Sequence, residues 1–397
     1  MNQFRKCYIP SSGRKNGCLV SILGDLVSTP SNELFFRQKN WEELCGRALL
    51  EKLDEASITL INLEAPVTSR RNRHYKCGGP NLKSTPAVAH LLKRLPFVVI
   101  SGANNHILDF GSEGLDDTLK ILETNKIPYI GMGRNIVEAR QSLLIETGKN
   151  RIGIYSCTQS EFSIAGENSP GANPYDPLVS FDDIAALKAQ CDFCIILYHS
   201  GRENYEYPSV NQQKICRKMI EKGADIVVCQ HSHCIGCMEQ WNDRNIIYGH
   251  GNFIFDRYVN RLWDNSFLLQ ISPSCPSKIH YVLFGRTKNG CVALRDKQTT
   301  EKLTQFFFER SAKLVVPGFL MHKWEEFCLS PENLTELFLA GFMGIRNRYI
   351  LGVDRRFGNI FVKLFFWNRD HQQLLLNFLR CETILENLKT VLKKGFH

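Results

Sequence analysis

From residue 18 onward, short apolar runs alternate with segments of helical period. Residues 18–24, 58–64, 97–102, 151–158, 192–199 and 225–230 are brief, rich in β-branched side chains and bounded by turn signals, which predicts buried strands. Between them, residues 41–56, 86–95, 112–125, 181–190 and 209–222 carry apolar positions three and four apart, with Pro86, Ser112 and Ser180 at suitable starts; these are read as helices. After His233 the period changes. Residues 238–241, 245–248, 266–271 and 278–284 are strand-like pieces joined by turns such as Trp241-Asn242-Asp243-Arg244, so antiparallel pairing is expected there. The last quarter has a third texture, with residues 306–308, 319–327 and 332–342 and then Leu375, Phe378, Leu379, Cys381, Leu385, Leu388 and Leu392 at helical spacing. This organisation predicts an α/β domain over residues 18–298, an N-terminal extension over 1–17 and a helical, aromatic-rich region over 299–397.

Composition narrows the class. A chain of 397 residues, 43% hydrophobic and 22% charged, is an ordinary globular protein with ample core material. Its formal charge of +9 is spread along the chain without long basic runs, which argues against nucleic acid as a partner. The first 17 residues have no apolar stretch after their basic positions, and no later segment is long and apolar enough for a membrane span, so a cytoplasmic chain is expected. The 15 cysteines are odd in number and sit mostly in apolar elements, as buried thiols do in a reducing compartment. The pairs Cys191/Cys194 and Cys234/Cys237 have zinc-ligand spacing, but the first falls in a predicted strand where residues three apart face opposite sides. The aromatic C-terminal region is read first as a helical cap packed on the catalytic domain, with a homo-oligomer or partner surface and a membrane face as alternatives.

Candidate chemistry gathers where the strands end. The predicted strands run out into Gly24-Asp25, Asn62-Leu63-Glu64, Ala103-Asn104-Asn105-His106, Tyr198-His199-Ser200-Gly201 and Gln230-His231-Ser232-His233, and carboxyl edges are where α/β sheets place their sites. Singly, each residue has an ordinary explanation: Asp25 as a turn cap, Glu64 as a loop charge, Asn104 and Asn105 as turn formers. Jointly, Asp25, Glu64, Asn105, His199, His231 and His233 combine carboxylate, amide oxygen and imidazole in a mixture that suits two divalent ions such as Mn²⁺, Fe²⁺ or Zn²⁺, one carboxylate bridging them. Such a pair, about 3.5–4 Å apart, stabilises in-line displacement at phosphorus. His231 and His233 are two residues apart, and strand alternation would put both rings on one face. His106 is read as the acid that protonates the leaving oxygen and Asp109 as the group that orients its ring. Arg70, Arg71, Arg73, Lys76 and Arg202 favour an anionic ligand, phosphate or carboxylate. The loops 68–84 and 159–177 have no readable period and hide the substrate.

The succession Gly24-Asp25, Asn62-Leu63-Glu64-Ala65-Pro66, Ala103-Asn104-Asn105-His106 with Asp109 and Gly111, His199 with Gly201 and Glu203, Gly223-Ala224-Asp225, His231 with His233, Ile247-Tyr248 and Gly251-Asn252-Phe253 resembles the CapA proteins of poly-γ-glutamate capsule synthesis. The resemblance implies a divergent calcineurin-like metallophosphoesterase, a four-layer α/β sandwich here carrying an added C-terminal helical region. It implies a dinuclear site with the six ligands above and His106 as the acid. Lys76 and Glu203 fall on lysine and glutamate positions of the family pattern, and with Arg202, His250 and Asn252 they are expected to contact substrate. The chain departs from the pattern at Val27, where phosphoesterases carry histidine, at Glu64, where aspartate is usual, at Ser200 and at Gly249-His250, and the N-terminal anchor common in the family is not expected from its first 17 residues. The expected function is a metal-dependent hydrolase acting on a phosphate ester or amide-type linkage in capsule or cell-envelope polymer metabolism; the alternative is a non-catalytic metal-binding or polymer-binding component of a capsule machine, favoured by Val27.

Overall fold

Each of the apolar runs before residue 231 forms a strand, and those strands are buried on both faces because they lie in the middle of two stacked sheets. A computed structural model of the chain describes residues 4–9, 18–74, 79–148, 150–256, 260–330, 333 and 369–394. The first sheet runs β1 (Phe4–Ile9), β7 (Ser142–Thr147), β8 (Asn150–Thr158), β10 (Phe193–His199), β11 (Ile226–Gln230), β13 (Arg244–Ile247) and β12 (Met238–Trp241). The second runs β16 (Val292–Leu294), β15 (Ile279–Arg286), β14 (Asn265–Ile271), β2 (Val20–Leu26), β3 (Ile58–Leu63), β4 (Val98–Ser101) and β5 (Tyr129–Ile130). A small ribbon pairs β6 (Met132–Gly133) with β9 (Gly171–Ala172). The neighbours β8, β10, β11 and β13 are parallel, as are β2, β3, β4 and β5.

Side-chain alternation makes four layers. Val20, Ile22, Leu60 and Val99 of one sheet interdigitate with Ile152, Ile154, Ile195, Leu197 and Val228 of the other. On the outer face of the second sheet, Ile61 and Ile100 pack under the helices α1 (Glu33–Gln38), α2 (Trp41–Cys45), α3 (Arg47–Asp54), α4 (Val88–Arg94) and α5 (Gly111–Thr124), through Leu49, Leu53, Leu91, Leu115 and Leu119. After the short α6 (Ile136–Ala139), the outer face of the first sheet is covered by α7 (Ser180–Lys188) and α8 (Val210–Glu221), with Leu187, Cys216 and Met219 against Ile196, Tyr198 and Val227. The fold is thus the expected α/β four-layer sandwich.

Two local readings change, and the expected turn at 242–243 is present. The helix expected over 41–56 breaks at Gly46, whose φ of 67° lies in the left-handed region and whose missing Cβ lets β16 approach. Residues 4–9 of the N-terminal extension form an edge strand parallel to β7; the polar Arg5 and Lys6 conceal it in the sequence. Asn242 and Asp243, both at positive φ, close the β12–β13 hairpin. The thiols of Cys191, Cys194, Cys234 and Cys237 are buried and free.

Among the described residues, the C-terminal helices are α9 (Lys297–Lys313), α10 (Phe319–Cys328), α11 (Arg369–Arg380) and α12 (Glu382–Lys394). The helix expected over 332–342 lies outside the described residues except Asn333. Trp324, Cys328 and Val391 form a buried cluster against Tyr205 and Val210, and Asn333 and Asn387 exchange amide hydrogen bonds of 3.1 and 2.9 Å. Thr383 Oγ1 donates to Gln159 Oε1 at 2.8 Å and the Asn211 amide to Glu386 at 3.0 Å, tying this region to the loop after β8 and to the first turn of α8. No described helix is long and apolar enough to cross a membrane.

One irregularity aims the first candidate ligand. The β2–β3 register slips between Leu23 and Asp25, a bulge of the kind that re-aims a side chain. A Cβ on Gly24 would lie 1.8 Å from the Gly251 carbonyl oxygen, so two backbones touch where any side chain would separate them. Gly24→Ala is expected to lower stability by at least about 3 kcal/mol, the upper end for overpacked cores, measured by chemical denaturation; a loss below about 1 kcal/mol would show that the segments part freely.

Candidate metal centre

Five strand ends from two sheets deliver the candidate ligands to one place. Asp25 closes β2, Glu64 follows β3, Asn105 and His106 follow β4, His199 ends β10, and His231 and His233 follow β11. Two groups result. Glu64, His199 and His231 form one, Asp25, Glu64 and His233 the other, with the ligand atoms of each group within 4.8 Å of one another and every residue buried. Glu64 belongs to both, the geometry of a bridging carboxylate.

In the first group His199 Nε2 is 3.3 Å from Glu64 Oε1, 3.1 Å from His231 Nδ1 and 3.1 Å from Asn105 Oδ1. In the second, His233 Nδ1 is 3.2 Å from Asp25 Oδ2 and 3.7 Å from Glu64 Oε2. His231 and His233 do not share a strand face. They sit past the end of β11 with φ of 96° and 58°, left-handed conformations costly for these residues, so a turn directs each ring into a different group; strand alternation is not the reason they meet.

The donor set fits a cation. Both Glu64 oxygens are buried, and neither accepts a hydrogen bond among the described residues, which leaves an expensive pair of acceptors unless a positive charge lies between them. Burial and the charge of Asp25 push the Glu64 carboxyl well above the usual range. Burial opposes the ionisation of Asp25 too, yet the hydrogen bond and charge of His233 hold it well below its ordinary value. For His233 burial disfavours the proton, but Glu64 and Asp25 outweigh it and push the ring up to about 10. Burial and His231 push His199 well below. In the cation-free protein these shifts favour a proton on His233 beside the Asp25 carboxylate and disfavour a charge on Glu64.

Supporting groups surround the ligands. Asn62 Nδ2 donates to Asp25 Oδ1 at 2.6 Å and lies 3.3 Å from His199 Nδ1, while Asn104 Nδ2 donates to Asn62 Oδ1 at 3.2 Å and to the Leu63 carbonyl at 2.8 Å. Such partners fix ligand orientation. His106 Nδ1 is 2.6 Å from Asp109 Oδ2, which also accepts from the Leu82 amide at 2.6 Å. The expected His106–Asp109 pairing is therefore present in geometry.

The substrate candidates scatter more. Lys76 lies outside the described residues. Glu203 stands beside the site: burial raises its carboxyl, but His233, His231 and Arg202 outweigh that and lower it. His250 is buried, its Nδ1 3.0 Å from the Phe267 carbonyl. Asn252 is buried with Oδ1 2.9 Å from His233 Nδ1. Val27 is enclosed by Ala65, Leu82, Phe255 and Trp263 and offers no donor. Sequence reasoning missed Asn62, Asn104, the Trp263 ring 4.2 Å from the His233 ring, and Glu161, whose Oε1 is 3.7 Å from His231 Nε2. Asn62 was legible, being two residues before Glu64; Glu161 comes from a loop without period.

Comparison with known proteins shows the family of the chain. The family described as bacterial capsule synthesis protein PGA_cap matches residues 20–257. The PGA biosynthesis protein CapA of Bacillus subtilis (strain 168) is 29% identical over 252 residues, 62% of this chain and 66% of that protein. A probable polyglutamine synthesis accessory protein of Mycobacterium tuberculosis is 30% identical over 236 residues, 55% of this chain and 60% of that protein. The chain spans 66% or less of the length of these curated relatives. A crystal structure of a phosphatase from Mycoplasma pneumoniae is 14% identical with a TM-score of 0.41, covering 72% of this chain and 97% of that one. With more than half of its length matched, and the strand-end residues inside the match, the chain belongs to the bacterial capsule synthesis PGA_cap family.

Proposed function

We propose that this chain is a metal-dependent hydrolase that cleaves a phosphate ester or amide-type linkage in capsule or cell-envelope polymer metabolism, on an anionic substrate. The observation that carries it is the pair of buried ligand groups sharing Glu64. Asp25, Glu64 and His233 would hold one divalent ion and Glu64, Asn105, His199 and His231 the other, with Mn²⁺, Fe²⁺ and Zn²⁺ all suited to such donors. When bound, the ions supply Lewis acidity to a phosphoryl or carbonyl oxygen and acidify a water.

The protein's own groups do the rest. Asn62 and Asn104 fix the ligands. Asp109 accepts from His106 Nδ1 and leaves Nε2 as the atom that gives its proton to the departing oxygen or nitrogen. Trp263 and Phe255 wall the His233 side with apolar rings, which strengthens electrostatic interactions there by excluding water. The names of the relatives, which concern PGA biosynthesis and polyglutamine synthesis, support a polymer setting. One observation favours a second reading: apolar Val27 in place of a ligand suits a component that binds metal or polymer without turnover.

The test is metal analysis of the full chain with its His231→Ala variant. The wild type is expected to retain divalent metal and to hydrolyse p-nitrophenyl phosphate in a manner abolished by chelator and restored by Mn²⁺. His231→Ala should lose one ion and the hydrolysis together. Unchanged turnover in that variant or in chelator would overturn the hydrolase reading; metal bound stoichiometrically without turnover on phosphate and amide substrates would favour the binding component.

A further inference from the structure

We infer that Asn252 Oδ1 is the ligand that completes the Asp25–Glu64–His233 subsite, in place of the donor that Val27 cannot provide. The inference rests on the metal-centre reading and goes beyond it, because Asn252 was expected only to meet substrate.

The geometry around His233 Nδ1 carries it. Three oxygens from separate segments converge on that nitrogen: Asn252 Oδ1 at 2.9 Å, Asp25 Oδ2 at 3.2 Å and Glu64 Oε2 at 3.7 Å. A ring nitrogen has one proton to donate, so it satisfies one of the three. A cation shared by one nitrogen and three oxygens satisfies all of them, and four donors are what a tetrahedral or expandable site requires. The other atom of the amide, Nδ2, is buried with no hydrogen-bond partner among the described residues, so the side chain's described polar contact is through Oδ1 to His233.

The backbone is built to bring Asn252 there. The segment 251–254 is stitched alongside Asp25: the amides of Phe253 and Ile254 donate to the Asp25 carbonyl at 2.9 and 3.2 Å, and the Val27 amide donates to Ile254 at 2.8 Å. Gly24 lies under the Gly251 carbonyl with no room for a side chain. The segment therefore runs directly beside Asp25, while Val27, just past the end of β2, packs in the apolar cluster. Exchanging imidazole for an amide oxygen also makes this subsite harder, which favours Mn²⁺ over Zn²⁺ at this position.

The experiment measures Mn²⁺ binding to the full chain, by titration calorimetry and by electron paramagnetic resonance, without reference to turnover. Wild type is expected to bind two ions and to give the spectrum of a coupled pair. Asn252→Ala should keep one ion at wild-type affinity and weaken the other by at least about 10-fold, the loss usual for groups supporting a metal, with the spectrum of isolated Mn²⁺ at one equivalent bound. Asn252→Asp, which keeps an oxygen at the same place and adds charge, should bind both ions at least as tightly as wild type, and it answers the question if the alanine variant does not fold. Two ions of wild-type affinity and a coupled spectrum in Asn252→Ala, or loss of the pair in Asn252→Asp, would overturn the assignment and leave the metal centre standing. Failure of the wild type to bind any ion would instead remove the metal centre itself.

Discussion

Glu64→Gln is expected to leave the chain folded and unable to hold either cation. Glu64 is shared by both ligand groups, so its charge is the one whose loss empties two subsites at once. The fold should tolerate the change, because the amide matches the carboxyl in shape and because burial and Asp25 already push that carboxyl toward its neutral form in the cation-free protein. Cation-free wild type and variant should therefore unfold at similar denaturant concentrations. A cation bound at 100 times its Kd stabilises the native state by about 2.7 kcal/mol, and that gain should be present in wild type and missing in the variant. Hydrolysis should fall by more than the about 10²–10³-fold that loss of a single electrostatic stabiliser costs. Metal analysis and denaturation with and without Mn²⁺ measure both; a variant that still carries two ions would remove Glu64 from the bridging position.

Much of this site is visible in the amino-acid sequence for a physical reason. Parallel strands buried on both faces must be written as unbroken apolar runs, so a polar residue at the end of such a run is conspicuous, and Asp25, Glu64, His199 and His231 each stand at one. The layers follow from the same runs, since Ile22, Leu60, Ile154 and Ile195 leave no face for water. What escaped the reading lies where period gives no guidance. The edge strand Phe4–Ile9 mixes Arg5 and Lys6 with apolar residues because an edge has only one neighbour. Gly46 breaks a helix for the sake of a contact with β16 that lies far away in sequence. Glu161 reaches His231 from a loop held by Gln159 and by the C-terminal residues Cys381, Glu382 and Thr383, and no local pattern announces a contact made across more than two hundred residues. Asn252 was noticed, but its distance from His233 was not available from spacing.

His106→Ala is expected to separate chemistry from metal binding. His106 belongs to neither ligand group, and its Nδ1 is engaged by Asp109, 2.6 Å away. In the proposed reaction it gives a proton to the leaving atom, a contribution typically of about 10²–10⁴-fold. The variant should keep both cations with wild-type affinity and lose that factor in kcat, and the loss should shrink for substrates whose leaving group needs no proton. With p-nitrophenyl phosphate, whose phenolate departs unaided, the defect should be smaller than with an alkyl phosphate. Asp109→Asn should give an intermediate defect, since the ring remains but its orientation and basicity change; that variant also loses a carboxylate accepting the Leu82 amide, so its stability must be measured alongside. The dependence on leaving group is what an orienting or purely structural role would not produce. Equal losses on both substrates, with metal retained, would place the acid elsewhere, and the half-buried Glu203 carboxyl beside His231 and His233 would be the next residue to replace.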